Sequence, residues 1–491
     1  MKGMTRRKFL KRTATAGAAT ALSAYSYSRV LGANDAIRVG IVGFRGQGGS
    51  HLSTHLSDGF KKMGVRVTAI CDVDKDVLAG GVSTCEKKGA KVAPYVDVRK
   101  LLADRNVDTV VTGTPNHWHS LISIWACQAG KDIYVEKPMS HDIFEGRKVV
   151  EAAAKYNRIV YVGTQNRSDE GLCEAYEWIR AGNLGKIVRA RGFCYKPRGS
   201  IGKTTGPQPI PPSVDYDLWC GPAPKTPLRR KRLHYDWHWF WATGNADIGN
   251  QGIHEMDKCR WGIGAKTIKR AMGIGGRFGY DDDAETPNTE TVFLETDTVP
   301  IIFETRGLPM RKATEQEKRP PMDAYKGVRI GEIIECEGGY YDGGWAYDKD
   351  GKKMKQFPRD RGGKHRENFI KCLRSRRPQD NPAPPIDGHL SAVCFHTGNL
   401  SYRLGKEMDR NQTAEMFKTD KVAQECWDRF QQHVSANEDA PSAWKPTVGP
   451  WLEFDPEKEI FTGAFAQQAN VLRKGTAGGK YRAPFVVPDR V

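Results

Sequence analysis

From residue 36 onward the apolar positions fall into short unbroken runs separated by longer amphipathic stretches. The first run, 36–43, ends in glycines; a helical pattern follows over 50–62, then a second run at 65–71. The alternation repeats, with strand-type runs at 91–92, 107–112, 132–135 and 159–162 and helical patterns over 77–88, 98–103, 119–129 and 143–156. Short buried runs joined by helix-length segments predict a parallel sheet wound by helices. Past 162 the pattern changes. Strand-like runs at 187–194, 267–274, 290–296, 299–305 and 331–337 are accompanied by a helix over 252–261. From Glu415 no periodicity stands out, although Trp427, Trp444 and Trp451 lie there, so this tail is expected to wrap around the body or a neighbouring subunit.

The first run and its sequel carry chemistry. Gly43-Phe44-Arg45-Gly46-Gln47-Gly48 forms a glycine turn between strand and helix, and Asp72 closes the second strand. This is the βαβ dinucleotide fingerprint: a tight turn, a helix N-terminus for the pyrophosphate and an acid for ribose hydroxyls. Arg45 occupies the middle glycine position of the pattern and hinders close backbone approach, but its guanidinium can pair with phosphate. Asp72 repels a 2′-phosphate, so NAD is expected over NADP. Thr114-Pro115-Asn116, His119 and Glu136-Lys137-Pro138 fall at the carboxyl ends of later strands, where ligands bind in such sheets.

Length and composition narrow the picture. At 491 residues, two domains with appendages are expected. The net charge of +18 raises the question of nucleic acid, but seven basic residues precede the first acid, Asp35. The rest are dispersed except for Lys225 and Arg229-Arg230-Lys231-Arg232, read as a solvated loop, and no nucleic-acid motif accompanies them. Eleven cysteines without CxxC or Cys/His metal spacing predict neither a disulfide framework nor a metal site. No apolar run is long enough to span a membrane. Residues 1–33 read as an address: Thr5-Arg6-Arg7-Lys8-Phe9-Leu10-Lys11 fits a twin-arginine signal, followed by a weakly apolar Ala/Thr-rich stretch and an imperfect cleavage site at Leu31-Gly32-Ala33. Export through the twin-arginine translocase, to the periplasm or otherwise beyond the cytoplasm, is the expectation.

Glu136-Lys137-Pro138 after the fifth strand of a dinucleotide fold resembles the glucose–fructose oxidoreductase/inositol dehydrogenase/MocA (Gfo/Idh/MocA) family. The resemblance covers most of residues 36–410 and includes Thr114-Pro115-Asn116, Val162-Gly163-Thr164-Gln165-Asn166-Arg167 and Gly252-Ile253-His254-Glu255-Met256-Asp257. Asp215-Tyr216-Asp217-Leu218-Trp219 and Tyr481-Arg482-Ala483-Pro484-Phe485 look like marks of an exported branch. The resemblance implies an α/β protein with an N-terminal Rossmann domain over 34–162. An α+β substrate domain with an open, mainly antiparallel sheet would follow over 163–410, and an extension over 411–491. It implies a homodimer or homotetramer, a carbohydrate substrate, and cofactor contacts from Thr114, Pro115, Asn116, His119, Glu136, Lys137 and Gln165.

Oxidising a secondary alcohol requires a base for the hydroxyl proton, a cation for the developing alkoxide and a carbinol C–H facing the nicotinamide. By resemblance Lys137 is that cation and His254 that base. The family often places an aspartate four residues before the histidine; here Asn250 stands there, able to orient an imidazole but not to supply charge, and Asp247 is a possible substitute. Tyr195 is a further candidate acid or sugar ligand. Trp118, Arg167, Trp239, Trp241 and Asp257 are candidate substrate contacts, the tryptophans as aromatic faces for sugar C–H surfaces. Because a twin-arginine substrate crosses folded, and no NAD pool awaits it outside, the cofactor is expected to be retained. That restricts the chemistry to redox-closed reactions: a sugar or polyol oxidoreductase with a second carbonyl substrate, or an NAD-dependent glycosidase working by transient oxidation and elimination. Lys137 and His254 argue against a non-catalytic sugar-binding protein.

Overall fold

The computed structural model describes residues 36–475 and 479–491; the twin-arginine motif lies outside them. Six strands, β1 (Ile37–Val42), β2 (Val65–Cys71), β3 (Ala93–Tyr95), β4 (Thr109–Thr112), β5 (Asp132–Val135) and β6 (Val160–Val162), form a sheet of order β3-β2-β1-β4-β5-β6. Every pairing is parallel, and the order reverses at β1, where a nucleotide-binding crevice opens. The strand expected at 91–92 lies instead at Ala93–Tyr95, and two helix boundaries also differ. The helix expected over 50–62 is two helices, Gln47–His55 and Asp58–Lys62, because Ser57 caps the second by accepting from Phe60 N. The helix expected from 119 begins three residues earlier, at Asn116, after Pro115.

Twelve strands form the second sheet, and the family-derived expectation of a mainly antiparallel α+β sheet is met by a mixed one. The strands are β7 (Ile187–Tyr195), β8 (Ile268–Gly276), β9 (Thr289–Thr296), β10 (Ile301–Arg306), β11 (Ile330–Cys336), β12 (Gly339–Tyr341), β13 (Trp345–Asp348), β14 (Lys353–Gln356), β15 (Lys406–Glu407), β16 (Thr447–Val448), β17 (Leu452–Asp455) and β18 (Ile460–Thr462). Only β7 and β10 pair in parallel. Both faces are apolar. Val292, Leu294, Ile301 and Phe303 pack toward the helices Gly252–Gly262 and Pro385–Arg403, whereas Phe293 and Ile302, their pleat neighbours, point the other way.

That second face is covered by the C-terminal tail, which is not the aperiodic wrap expected. Lys421–Ser435 is a helix capped by Asp420, and its Ala423, Trp427, Phe430 and Val434 lie at helical spacing against Met272, Ile274 and Phe278. Tyr481, Phe485 and Val487 return to the Rossmann core. The basic run is also not wholly solvated: Arg230 is buried, its guanidinium 4.6 Å from the Trp219 ring centroid, while Arg229, Lys231 and Arg232 are exposed. Among the described residues no helix is long and apolar enough to cross a membrane.

Glu290, on β9, is buried with neither carboxylate oxygen hydrogen-bonded, and burial raises its carboxyl to about 8. Between the ordinary carboxylate range and that value the folded chain holds a proton the unfolded chain releases. The contribution of Glu290 to stability is therefore fullest below about pH 4.3 and declines as pH rises through the window, by at most about 1.4 kcal/mol per unit. We predict that the stability of the native chain relative to Glu290→Gln, from thermal unfolding measured from about pH 5 to 8, falls as pH rises.

Candidate functional site

The cleft lies along the carboxyl ends of β1, β2, β4 and β5 and encloses about 450 Å³. At its floor Gly43 adopts φ +67°, which lets the chain turn from β1 into the helix Gln47–His55. Gly48 sits against that turn so closely that a Cβ would fall 1.9 Å from Gly43 O. The helix starts on Gly46 without a side-chain cap, and in its first turn Gly48 N donates to Arg45 O at 3.0 Å. Asp72 accepts from Phe44 N (3.3 Å) and Asp74 N (3.0 Å), and burial raises it to about 6. Gly43, Arg45, Gly46, Gln47, Asp72, Thr114, Pro115, Asn116, His119, Glu136, Lys137 and Gln165 line the cleft, and these features fit a dinucleotide. Phe44 contributes its amide only; its ring packs on Gly81. Arg45 extends toward Asp74 at 3.6 Å and is half-exposed at the mouth.

Glu136 organises the reactive end. Its Oε1 accepts from His51 Nε2 (2.8 Å) and Gln47 Nε2 (3.3 Å), and Oε2 from Lys137 N (3.2 Å). Burial opposes its charge, yet the His51 hydrogen bond and the Lys137 ammonium hold it at about 2. His51, one turn into the glycine-loop helix, was missed from sequence; its spacing from the glycines was the available signal. His119 lies between Thr114 O (2.7 Å) and Pro138 O (2.6 Å), bracing two cofactor loops. Lys137 Nζ donates to Asn250 O at 2.8 Å, joining the domains. Burial lowers its pKa, and the Glu136 carboxylate opposes that shift.

His254 lines the same end, on the helix Gly252–Gly262, and burial with the Lys137 charge brings it down to about 3. Its Nδ1 is buried without a partner. Neither sequence-proposed orienting group reaches it. Asn250 Nδ2 faces Asp247 (3.4 Å), and Asp247 is held bidentately by Arg198 (2.9 and 2.6 Å).

Five candidates stand elsewhere than expected. Tyr195 is fully buried on the sheet face away from His254, its hydroxyl donating to Glu304 (3.0 Å) and accepting from Arg429 (2.7 Å), because the pleat alternates after Cys194. Arg167 and Asp257 pair with each other at 2.7 and 2.8 Å, anchoring the His254 helix from behind. Trp239 is buried beneath Arg198, and Trp241 lies against Tyr402 and Arg403. Neither lines the cleft; Trp237, Tyr235, His234 and His238 of the same segment do. Trp118 does line it, tied to Leu218 O and Trp219 O (both 3.1 Å) and edge-on to Phe485.

This architecture has relatives. A family model described as the NAD-binding Rossmann fold of the GFO/IDH/MocA oxidoreductase family matches residues 37–164, and the model for that family's C-terminal alpha/beta domain matches 182–273. Residues 37–164 thus match the NAD-binding domain of the Gfo/Idh/MocA oxidoreductases, and residues 182–273 part of their C-terminal domain. Inositol 2-dehydrogenase 1 of Saccharopolyspora erythraea is 31% identical over 153 residues, 31% of this chain and 44% of that protein. Glycosyl hydrolase family 109 protein 2 of Shewanella sp. (strain ANA-3) is 34% identical over 175 residues, 31% of this chain and 38% of that protein. The chain thus spans less than half the length of these two relatives. The WlbA dehydrogenase from Bordetella pertussis, solved with NADH and UDP-GlcNAcA, shares the fold at a TM-score of 0.53 and 18% identity, over 74% of this chain and 95% of that one.

The close approach at Gly48 predicts that Gly48→Ala, by pushing the helix off Gly43, costs roughly 1–3 kcal/mol of stability. A lowered unfolding temperature and weaker NAD binding by calorimetry would show it.

Proposed function

We propose that the protein is an NAD-dependent oxidoreductase acting on a secondary alcohol of a sugar or polyol, with its cofactor retained between turnovers. The observation that carries this reading is the placement of the Lys137 amine, held at Asn250 O, and an unprotonated imidazole, His254, in the dinucleotide cleft. Bound NAD supplies the acceptor for a hydride from the carbinol carbon and can return it. Lys137 Nζ stabilises the alkoxide oxygen, and His254 takes the hydroxyl proton.

Retention is supported by the roof. Leu218 and Trp219 line the cleft from a segment between the two sheets, and Arg482 of the tail pins that segment through Asp217 Oδ1 (2.9 Å), Asp217 O (2.7 Å) and Gly221 O (2.9 Å). The twin-arginine motif supports export to the periplasm with cofactor already bound. The proposed homodimer or homotetramer would assemble through surfaces other than the sheet face occupied by Lys421–Ser435.

A second reading, an NAD-dependent glycoside hydrolase using transient oxidation, is favoured by the similarity to a relative named as a glycosyl hydrolase. Release of aglycone without net nicotinamide reduction would identify it; an oxidised sugar accumulating only with an added carbonyl acceptor would identify the oxidoreductase.

We expect near-stoichiometric NAD to be released when the purified protein is denatured and its nucleotides are quantified by mass spectrometry. Lys137→Ala should keep that NAD yet lower turnover about 10²–10³-fold. Absence of nucleotide from folded protein, or unchanged turnover in the variant, would overturn the proposal. Arg482→Ala should lose NAD faster on dilution than the native chain.

A further inference from the structure

The cleft contains another imidazole that the preceding chemistry leaves idle. His238 stands on the 3₁₀ turn Asp236–Trp239 and lines the cavity together with Lys137, Asn250 and His254. Its Nδ1–H donates to Tyr235 O at 2.6 Å; a carbonyl only accepts, so in the neutral ring the lone pair is on Nε2. Nε2 has no hydrogen-bond partner among the described residues.

The ring is held in place. Trp237 stacks on it at 3.6 Å between centroids and 20°, and Tyr235 and Trp239 close its edges at 5.0 and 5.8 Å. Behind it the turn presses on Gly244, where a Cβ would lie 2.4 Å from His238 O. Burial, with the Lys137 and Arg198 charges, lowers it to about 3, so it is unprotonated at neutral pH.

An imidazole base works best when a third group fixes its tautomer and direction. His254 lacks such a group, since Asn250 and Asp247 are engaged elsewhere. His238 has one. Hydride transfer itself releases a single proton, from the hydroxyl, and so occupies a single base. Four imidazoles line the cleft; His119 is engaged through both ring nitrogens and His234 through Asp74, which leaves His254 and His238 as the two available for two protons. Once a secondary alcohol has become a carbonyl, the next most acidic proton is on the adjacent carbon.

We propose that His238 is a second proton-transfer residue, its Nε2 removing the proton from the carbon next to the oxidised one. The C–H electron pair becomes the C=C bond of an enolate, the carbonyl π pair moves onto oxygen beside Lys137 Nζ, and the proton rests on Nε2. Return of a proton restores the ketone. Where the following carbon bears a glycosidic oxygen, the enolate re-forms the carbonyl, a C=C bond forms toward that carbon, and the alkoxide leaves to take up a proton. The inference rests on the sugar-oxidising reading and tips it toward transient oxidation.

The test uses the full-length holoenzyme in deuterium oxide with methyl hexopyranosides, following bound-nicotinamide reduction by absorbance and deuterium at the adjacent carbon by mass spectrometry. A second arm supplies the corresponding keto-glycosides directly, so that exchange is read without prior oxidation. His238→Asn keeps a donor for Tyr235 O but has no Nε2; His238→Gln replaces it should the asparagine variant misfold. NAD per chain and calorimetric affinity for the glycoside report intact binding. The native protein should incorporate deuterium, and the ratio of exchange to nicotinamide reduction should fall at least about 10²-fold in the variant. An unchanged ratio, or a native protein that reduces its nicotinamide or binds keto-glycoside without exchange, overturns the role of His238. If no methyl hexopyranoside reduces the nicotinamide but keto-glycosides exchange through His238, the oxidation reading fails and this one stands.

Discussion

The buried carboxylate of Glu136 holds the reactive end of this cleft together. It lies at the end of β5 and gathers His51 and Gln47 from the glycine-loop helix, while its other oxygen receives the amide of Lys137. Gly163 packs so close that a Cβ there would come 3.0 Å from the carboxylate. Removing such a charge from water is costly unless its lone pairs are occupied, so the network has one low-energy arrangement. That arrangement sets the direction of Lys137 and, through Asn250 O, ties the first domain to the short helix ahead of the His254 helix.

Around this anchor the chain builds a roof from pieces distant in sequence. The segment between β7 and the short helix Ala246–Asn250 folds over the cleft with little regular structure, held by aromatic packing and cation–π contacts. The tail then crosses the Rossmann domain, inserts Phe485 beside Trp118 and fastens the roof through Arg482. The same tail earlier covers one face of the second sheet. A domain pair that would otherwise expose an apolar sheet face and an open crevice closes both with its own chain.

The Rossmann half was legible because its signals are local. Unbroken apolar runs, the Gly43–Gly48 turn and Asp72 each follow from residues near one another, and the sheet order obeys connection rules that leave little choice. The helix Lys421–Ser435 was locally encoded too, by Asp420 and the spacing of Ala423, Trp427, Phe430 and Val434, yet its polar surroundings masked the pattern. Tyr195, Arg167 and Asp257 could not be placed from motifs. Whether a side chain faces a cleft or an ion pair depends on strand pleat and on partners as distant as Arg429 and Glu304.

The sequence by itself determined the nucleotide fold, which rests on short-range order, while its resemblance to a known family pointed to Lys137, His254 and the departure at Asn250. The tertiary structure alone decided which aromatic residues reach the cleft, that Asp247 is engaged by Arg198, and that His238, with its tautomer set by Tyr235 O, stands in the same cavity as His254. The physical reason is that hydrogen-bond partnership and burial depend on the packed arrangement of distant segments, and no local pattern carries that arrangement.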